Sequence, residues 1–101
     1  MFGGNNNMMQ KLQEMQQKVE ETKARLDTIT VEGKASNGKV TVTMTGNRKV
    51  NAISINEKLG GFDREELEDL LIIATNDALE KAESVNESEM RSASAGMIPG
   101  M

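Results

Sequence analysis

The 101-residue chain contains no cysteine and no histidine. Without cysteine it has neither a disulfide framework nor a thiolate metal ligand, and the cytosol becomes the default expected compartment. The loss of histidine removes the commonest general base and the imidazole that most often binds metals. Enzymatic chemistry therefore has no evident carrier, and no catalytic residue, metal or cofactor is expected. Tryptophan and tyrosine are also missing, and phenylalanine occurs only twice. Leu, Ile, Val, Ala and eight methionines must build the core, with the thioethers lending adaptability more than rigid specification. Long apolar runs are absent as well. The longest, "LLIIA" at Leu70 to Ala74, is about a quarter of the roughly 20 residues a bilayer span needs. Residues 1–10 show neither the basic start nor the apolar stretch of a secretory signal, and Phe2 stands where myristoylation requires glycine. Neither a membrane nor a small-molecule substrate is an expected partner.

What is present is a modest single domain whose charge is unevenly distributed. The formal net charge is −4, but residues 1–29 hold four cations and four anions, residues 30–58 five and two, and residues 59–101 three and ten. A partner would respond to that segregation more than to the total.

Residues 1–7, "MFGGNNN", have no periodicity and read as a flexible lead. From Met8 the pattern becomes helical. Met8, Leu12, Met15, Val19, Thr22, Leu26 and Ile29 alternate spacings of four and three, a heptad seam with Thr22 as its polar member. A helix is expected over Asn7 to Leu26. "TITVEGKAS" then alternates as a first strand, "SNGK" supplies an Asn-Gly hairpin turn, and "KVTVTMTG" alternates as a second strand. After "TGNRK", the segment "VNAISIN" reads as a third strand whose alternation slips, so a bulge is expected near Ala52. In "GGFDREELEDLL", Asp63 is the expected N-cap, Glu66 completes a capping box, and Phe62 and Leu67 form a hydrophobic staple. Leu67, Leu70, Leu71, Ala74, Ala78 and Ala82 give this helix an apolar stripe, which Ile72, Ile73 and Leu79 widen beyond what one small sheet covers. From about Ser84 the composition turns polar and small.

The expected fold is α+β: an α-β-β-β-α protomer with a three-stranded antiparallel meander flanked by two helices. Residues 8–85 form the domain, and residues 86–101 a helix end and flexible tail. The surplus apolar surface asks for a second copy, and a homodimer follows.

Two motifs bear on function. "GKASNGKV" matches most of a phosphate-binding P-loop at Gly33, Gly38 and Lys39, but Val40 replaces the Mg²⁺-binding hydroxyl and the segment joins two strands. Nucleotide binding is rejected on both counts. The second motif is a cation ladder. With Leu12, Val19 and Leu26 at a, the residues Lys11, Lys18 and Arg25 all fall at g, while the e positions hold Gln16 and Lys23. Cations at g ordinarily pair with anions across a helical interface, yet no anion stands at e. Lys11 to Arg25 spans about 21 Å of helix, comparable with several phosphate spacings along a duplex. Lys11, Lys18, Arg25 and, secondarily, Lys23 are the candidate DNA-binding residues. Arg48, Lys49, Lys34 and Lys39 extend the basic middle segment, although lysines on strands and turns are usually solvated. Scarcity of aromatic rings disfavours base stacking and leaves duplex backbone contact as the fitting mode. The alternative class is a protein–protein interaction or scaffold module using the seam and the acidic last helix.

These residues also carry a resemblance. "MFGG", "VEGKASNGKVTVTMTGNRKV", "ISIN" and "LEDLLIIATNDALEKAE" resemble the YbaB/EbfC family of nucleoid-associated proteins over nearly the whole chain. That resemblance implies a small bacterial cytosolic homodimer of α-β-β-β-α protomers, located at the nucleoid and binding double-stranded DNA through helical arms. The acidic last helix restricts the expected DNA role here to the first helix.

Overall fold

The computed structural model describes residues 2–56 and 63–95, with side chains from residue 8 onward. The order is α1 (Phe2–Leu26), β1 (Thr30–Ala35), β2 (Val40–Thr45), β3 (Val50–Ile55) and α2 (Arg64–Ala95). The strands form one antiparallel sheet in the order β1-β2-β3. This is the α-β-β-β-α arrangement that the periodicities call for.

Helix α1 starts at Phe2, ahead of the expected Asn7. Extending a helix already nucleated downstream adds a hydrogen bond for each residue fixed, which suffices for a lead with no apolar pattern of its own. Thr22, the polar member of the seam, is buried, and its hydroxyl donates to the carbonyl of Lys18 at 2.7 Å. Satisfying that hydroxyl within its own helix removes most of the penalty of burying it.

The β1–β2 hairpin turns at Asn37 and Gly38, with φ of 57° and 90°. Both values are positive, as a type I′ turn demands, and Lys39 N–H closes the turn onto Ser36 O at 3.3 Å. Val40, Val42 and Met44 are buried on one face of β2. The expected bulge is present: Thr43 pairs with Ala52 and Met44 with Val50, leaving Asn51 as the extra residue. Its effect is to bring Ile53 opposite Val42 on the core side of the sheet.

Helix α2 begins as the sequence indicates, with Asp63 Oδ1 accepting the Glu66 N–H at 2.7 Å. The staple expected between Phe62 and Leu67 lies outside the described residues, and of the expected tail, "SASAGMIPGM" from Ser92, residues 92–95 are helical while the rest lies outside them. Continuing to Ala95, the helix runs well past the compositional change at Ser84. The reason is tertiary: this end of α2 lies against α1, where packing replaces the intrinsic propensity the sequence lacks. Its other end lies across β1 and β2, burying Leu70, Ala74, Ala78 and Ala82 against Ala35, Val40, Val42 and Met44. Small side chains let the helix backbone approach the sheet closely. At Gly33 an added Cβ would sit 2.1 Å from Ala74 O and 2.2 Å from Ala78 N, so only glycine fits there. β3 remains at the open edge. Val50 and Ile53 are 47% and 54% exposed, as are Ile72 and Ile73 on α2 at 58% and 53%. The chain is elongated, 72 × 21 × 17 Å.

Candidate nucleic-acid interface

The α1 arm is anchored at its C-terminal end and bare toward its start. Leu26 is fully buried, and its carbonyl accepts the Gly46 N–H at 3.0 Å. Asn47 adds two bonds, from its Nδ2 to Lys23 O at 2.8 Å and to Asp27 Oδ1 at 2.6 Å. Farther along, Met15, Lys18 and Val19 face Ala93 and Ser94 near the end of α2. Beyond that level Met8, Met9 and Leu12 stay largely exposed.

The expected DNA-binding cations do not share one environment. Lys18 and Arg25 border a groove with Glu21, Thr22, Ser92 and Ala93, on the flank that meets α2. Lys23 lies on a different flank, beside Leu12, Met15, Gln16, Val19 and Glu20. Arg25 is already engaged, its guanidinium paired with the Glu89 carboxylate of α2. The anion missing from the e positions of the heptad is thus supplied for one rung by the other helix, from a residue 64 positions away. Lys11, Lys18 and Lys23 are exposed and, among the described residues, have no anionic partner.

Lys34, Lys39, Arg64 and Lys81 are committed within the protein, whereas Arg91 of α2 is exposed and forms no ion pair among the described residues. Lys81 Nζ reaches Asp77 at 3.2 Å and donates to Glu32 O at 2.9 Å, while Lys34 lies 3.8 Å from Glu32. Asp77 also accepts the Lys34 backbone N–H at 3.0 Å, and that bond, followed by the Lys81 ammonium, holds its carboxyl below the ordinary aspartate range. These contacts cover outward-facing backbone groups of β1 and protect that edge of the sheet. Arg64 sits 3.6 Å from Glu68, and Lys39 is engaged too. Arg48 and Lys49, in the turn between β2 and β3, are exposed and form no ion pair among the described residues. Turn position alone gave them low priority in the sequence. The signal that distinguishes them is the adjacent Asn47, which fastens the turn to α1.

Comparison with known proteins places this chain, with its arm, its cations and its open sheet, in a family. The model of the YbaB/EbfC DNA-binding family matches residues 1–97. The chain belongs to that family. A protein of Flavobacterium johnsoniae named as a nucleoid-associated protein is 49% identical over 98 residues, covering 93% of this chain and 91% of the relative. Another so named, from Afipia carboxidovorans, is 41% identical over 96 residues with the same coverage of 93% and 91%. The crystal structure of an uncharacterized protein from Helicobacter pylori superposes with a TM-score of 0.68 at 21% identity, covering 86% of this chain and 89% of that one. That last likeness establishes the YbaB-like fold. Among the described residues of this YbaB/EbfC chain, no helix is long and apolar enough to cross a membrane.

Proposed function

We propose that this protein binds double-stranded DNA as a homodimer on the nucleoid, chiefly through phosphate contacts and with weak sequence preference. The observation that carries the reading is the set of unpartnered cations Lys11, Lys18 and Lys23 along a projecting helix. Arg25, tied to Glu89, contributes its charge at the base of the arm. Family membership and the nucleoid-associated relatives support DNA as the partner. Lysine ammoniums contact phosphates as point charges, fixing the protein on the duplex without reading base edges. The homodimer reading draws on the open β3 edge and on the exposed Val50, Ile53 and Ile72.

The test is to change Lys11, Lys18 and Lys23 together to Gln, then measure dimer mass and retention of a mixed-sequence duplex across salt. An intact dimer with weakened retention is the expected result. The log-log salt slope should become shallower by about 0.9 for each phosphate contact removed. Unchanged retention would return the chain to the class of protein-interaction modules.

A further inference from the structure

We infer that the turn between β2 and β3 is a second phosphate-contacting element, with Arg48 as its principal contact and Lys49 beside it. This rests on the DNA-binding reading of the arm and extends it to a part of the fold outside α1.

The first observation is conformational. Thr45 O accepts the Arg48 N–H at 2.9 Å, and Thr45 N–H donates to Lys49 O at 2.8 Å, defining a three-residue loop of Gly46, Asn47 and Arg48. In such a loop the third residue takes the left-handed conformation, where glycine fits best. Here that place belongs to Arg48, at φ 66°. Gly46 and Asn47, residue types better suited to positive φ, stand immediately before it. The fold therefore carries a conformational cost at this position while keeping a guanidinium there.

The second observation is where the loop is held. Gly46 abuts Leu26 so closely that an added Cβ would lie 2.6 Å from Leu26 Cδ2, and Asn47 bridges Lys23 O and Asp27 Oδ1. The turn is thus fastened to the base of the arm whose cations are Lys11, Lys18 and Lys23. Asp27, the nearby carboxylate, is occupied by Asn47, and neither Arg48 nor Lys49 forms an ion pair among the described residues. A strongly donating, exposed guanidinium on a turn that Asn47 bonds to the Lys23 end of the arm suits the phosphate backbone of a duplex.

Arg48→Gly separates this role from folding, because glycine accepts the left-handed position without strain. The full chain is tested by fluorescence anisotropy on a mixed-sequence duplex across salt, with thermal melting alongside. Arg48→Lys, which keeps the charge, and the Lys11, Lys18, Lys23 to Gln triple variant are run in parallel. Arg48→Gly is expected to melt at the same temperature or higher, yet to bind roughly eightfold more weakly per contact at 0.1 M salt, with a slope shallower by about 0.9 per contact. Arg48→Lys should keep a slope near that of the parent. If Arg48→Gly binds as the parent does while the triple variant loses DNA, the turn proposal falls and the arm reading stands. Weaker binding by Arg48→Gly only together with a lower melting temperature also overturns the turn proposal. Failure of the parent itself to bind duplex overturns both.

Discussion

Asp77 shows how one side chain can serve the fold while standing in water. Its carboxylate accepts the Lys34 N–H and lies beside Lys81, so it binds a proton less readily in the folded protein than the ordinary value of 3.8. A carboxyl whose pKa is lowered by folding contributes stability that is fully present above the unfolded value. That contribution declines as pH drops below about 4 and is gone once the folded pKa has been passed. Asp77→Asn should therefore be less stable than the parent in urea at pH 6, with the difference shrinking toward pH 3. A difference that stays constant over that interval would show that the Lys34 and Lys81 contacts are not what the charge supports. Arg48 presents the opposite balance. Its left-handed backbone costs roughly 1 kcal/mol or more relative to glycine, and among the described residues its guanidinium makes no hydrogen bond or ion pair that offsets it.

Among the elements, α2 departs most from its sequence signals, and the cause lies in its contacts. Local chemistry made its beginning legible: Asp63 caps Glu66 as the spacing requires. The strands were legible for a similar reason, since alternation, the Asn-Gly turn and the slipped register near Ala52 are all encoded within a few residues. Residues 84–95 offered no such signal, because their helix depends on α1. Asn86 donates to Gly46 O at 2.8 Å, Glu89 pairs with Arg25, and Ala93 and Ser94 meet Met15 and Val19. For the same reason the sequence showed a cation ladder without showing that one of its rungs is occupied. The pair is partly exposed, at 57% for Arg25 and 29% for Glu89, so its contribution to stability is about 1 kcal/mol or less. Its larger consequence is electrostatic. Glu89→Gln removes an α2 anion from beside the arm and frees a guanidinium on it, so duplex affinity should rise and the salt slope should steepen by about 0.9 per added contact. Melting should shift only slightly. Unaltered or weaker DNA binding would place Arg25 outside the interface and leave it a structural tie between the helices.

At the scale of the whole molecule, the proposed DNA binding and the proposed homodimer depend on each other, because one arm offers few cations. The lysines at 11, 18 and 23 span about 18 Å of helix, a short footprint for a chain whose net charge is −4. Joining two protomers places two arms and two turns on one duplex, so the second engagement becomes intramolecular and raises affinity without any new kind of contact. The sheet offers an edge for that union. Asp77 and Lys81 occupy backbone groups along β1, whereas β3 has strand pairing on one side only and carries the exposed Val50 and Ile53. A charge at Ile53, which is 54% exposed although it pairs with Val42, should therefore act against association while the packing of Ala74 and Ala78 on the sheet is retained. Ile53→Asp is expected to sediment as a folded monomer, with helical content and melting cooperativity retained. Its DNA affinity should drop well beyond the loss of a single contact, and its salt slope should fall to about half that of the parent, because half the phosphates are neutralised in each complex. The lysine triple variant, in contrast, should lose slope while remaining a dimer. If Ile53→Asp still sediments as a dimer, β3 is not the joining edge. If it becomes a monomer yet keeps the full slope, one arm and one turn suffice, and the two-armed reading is wrong.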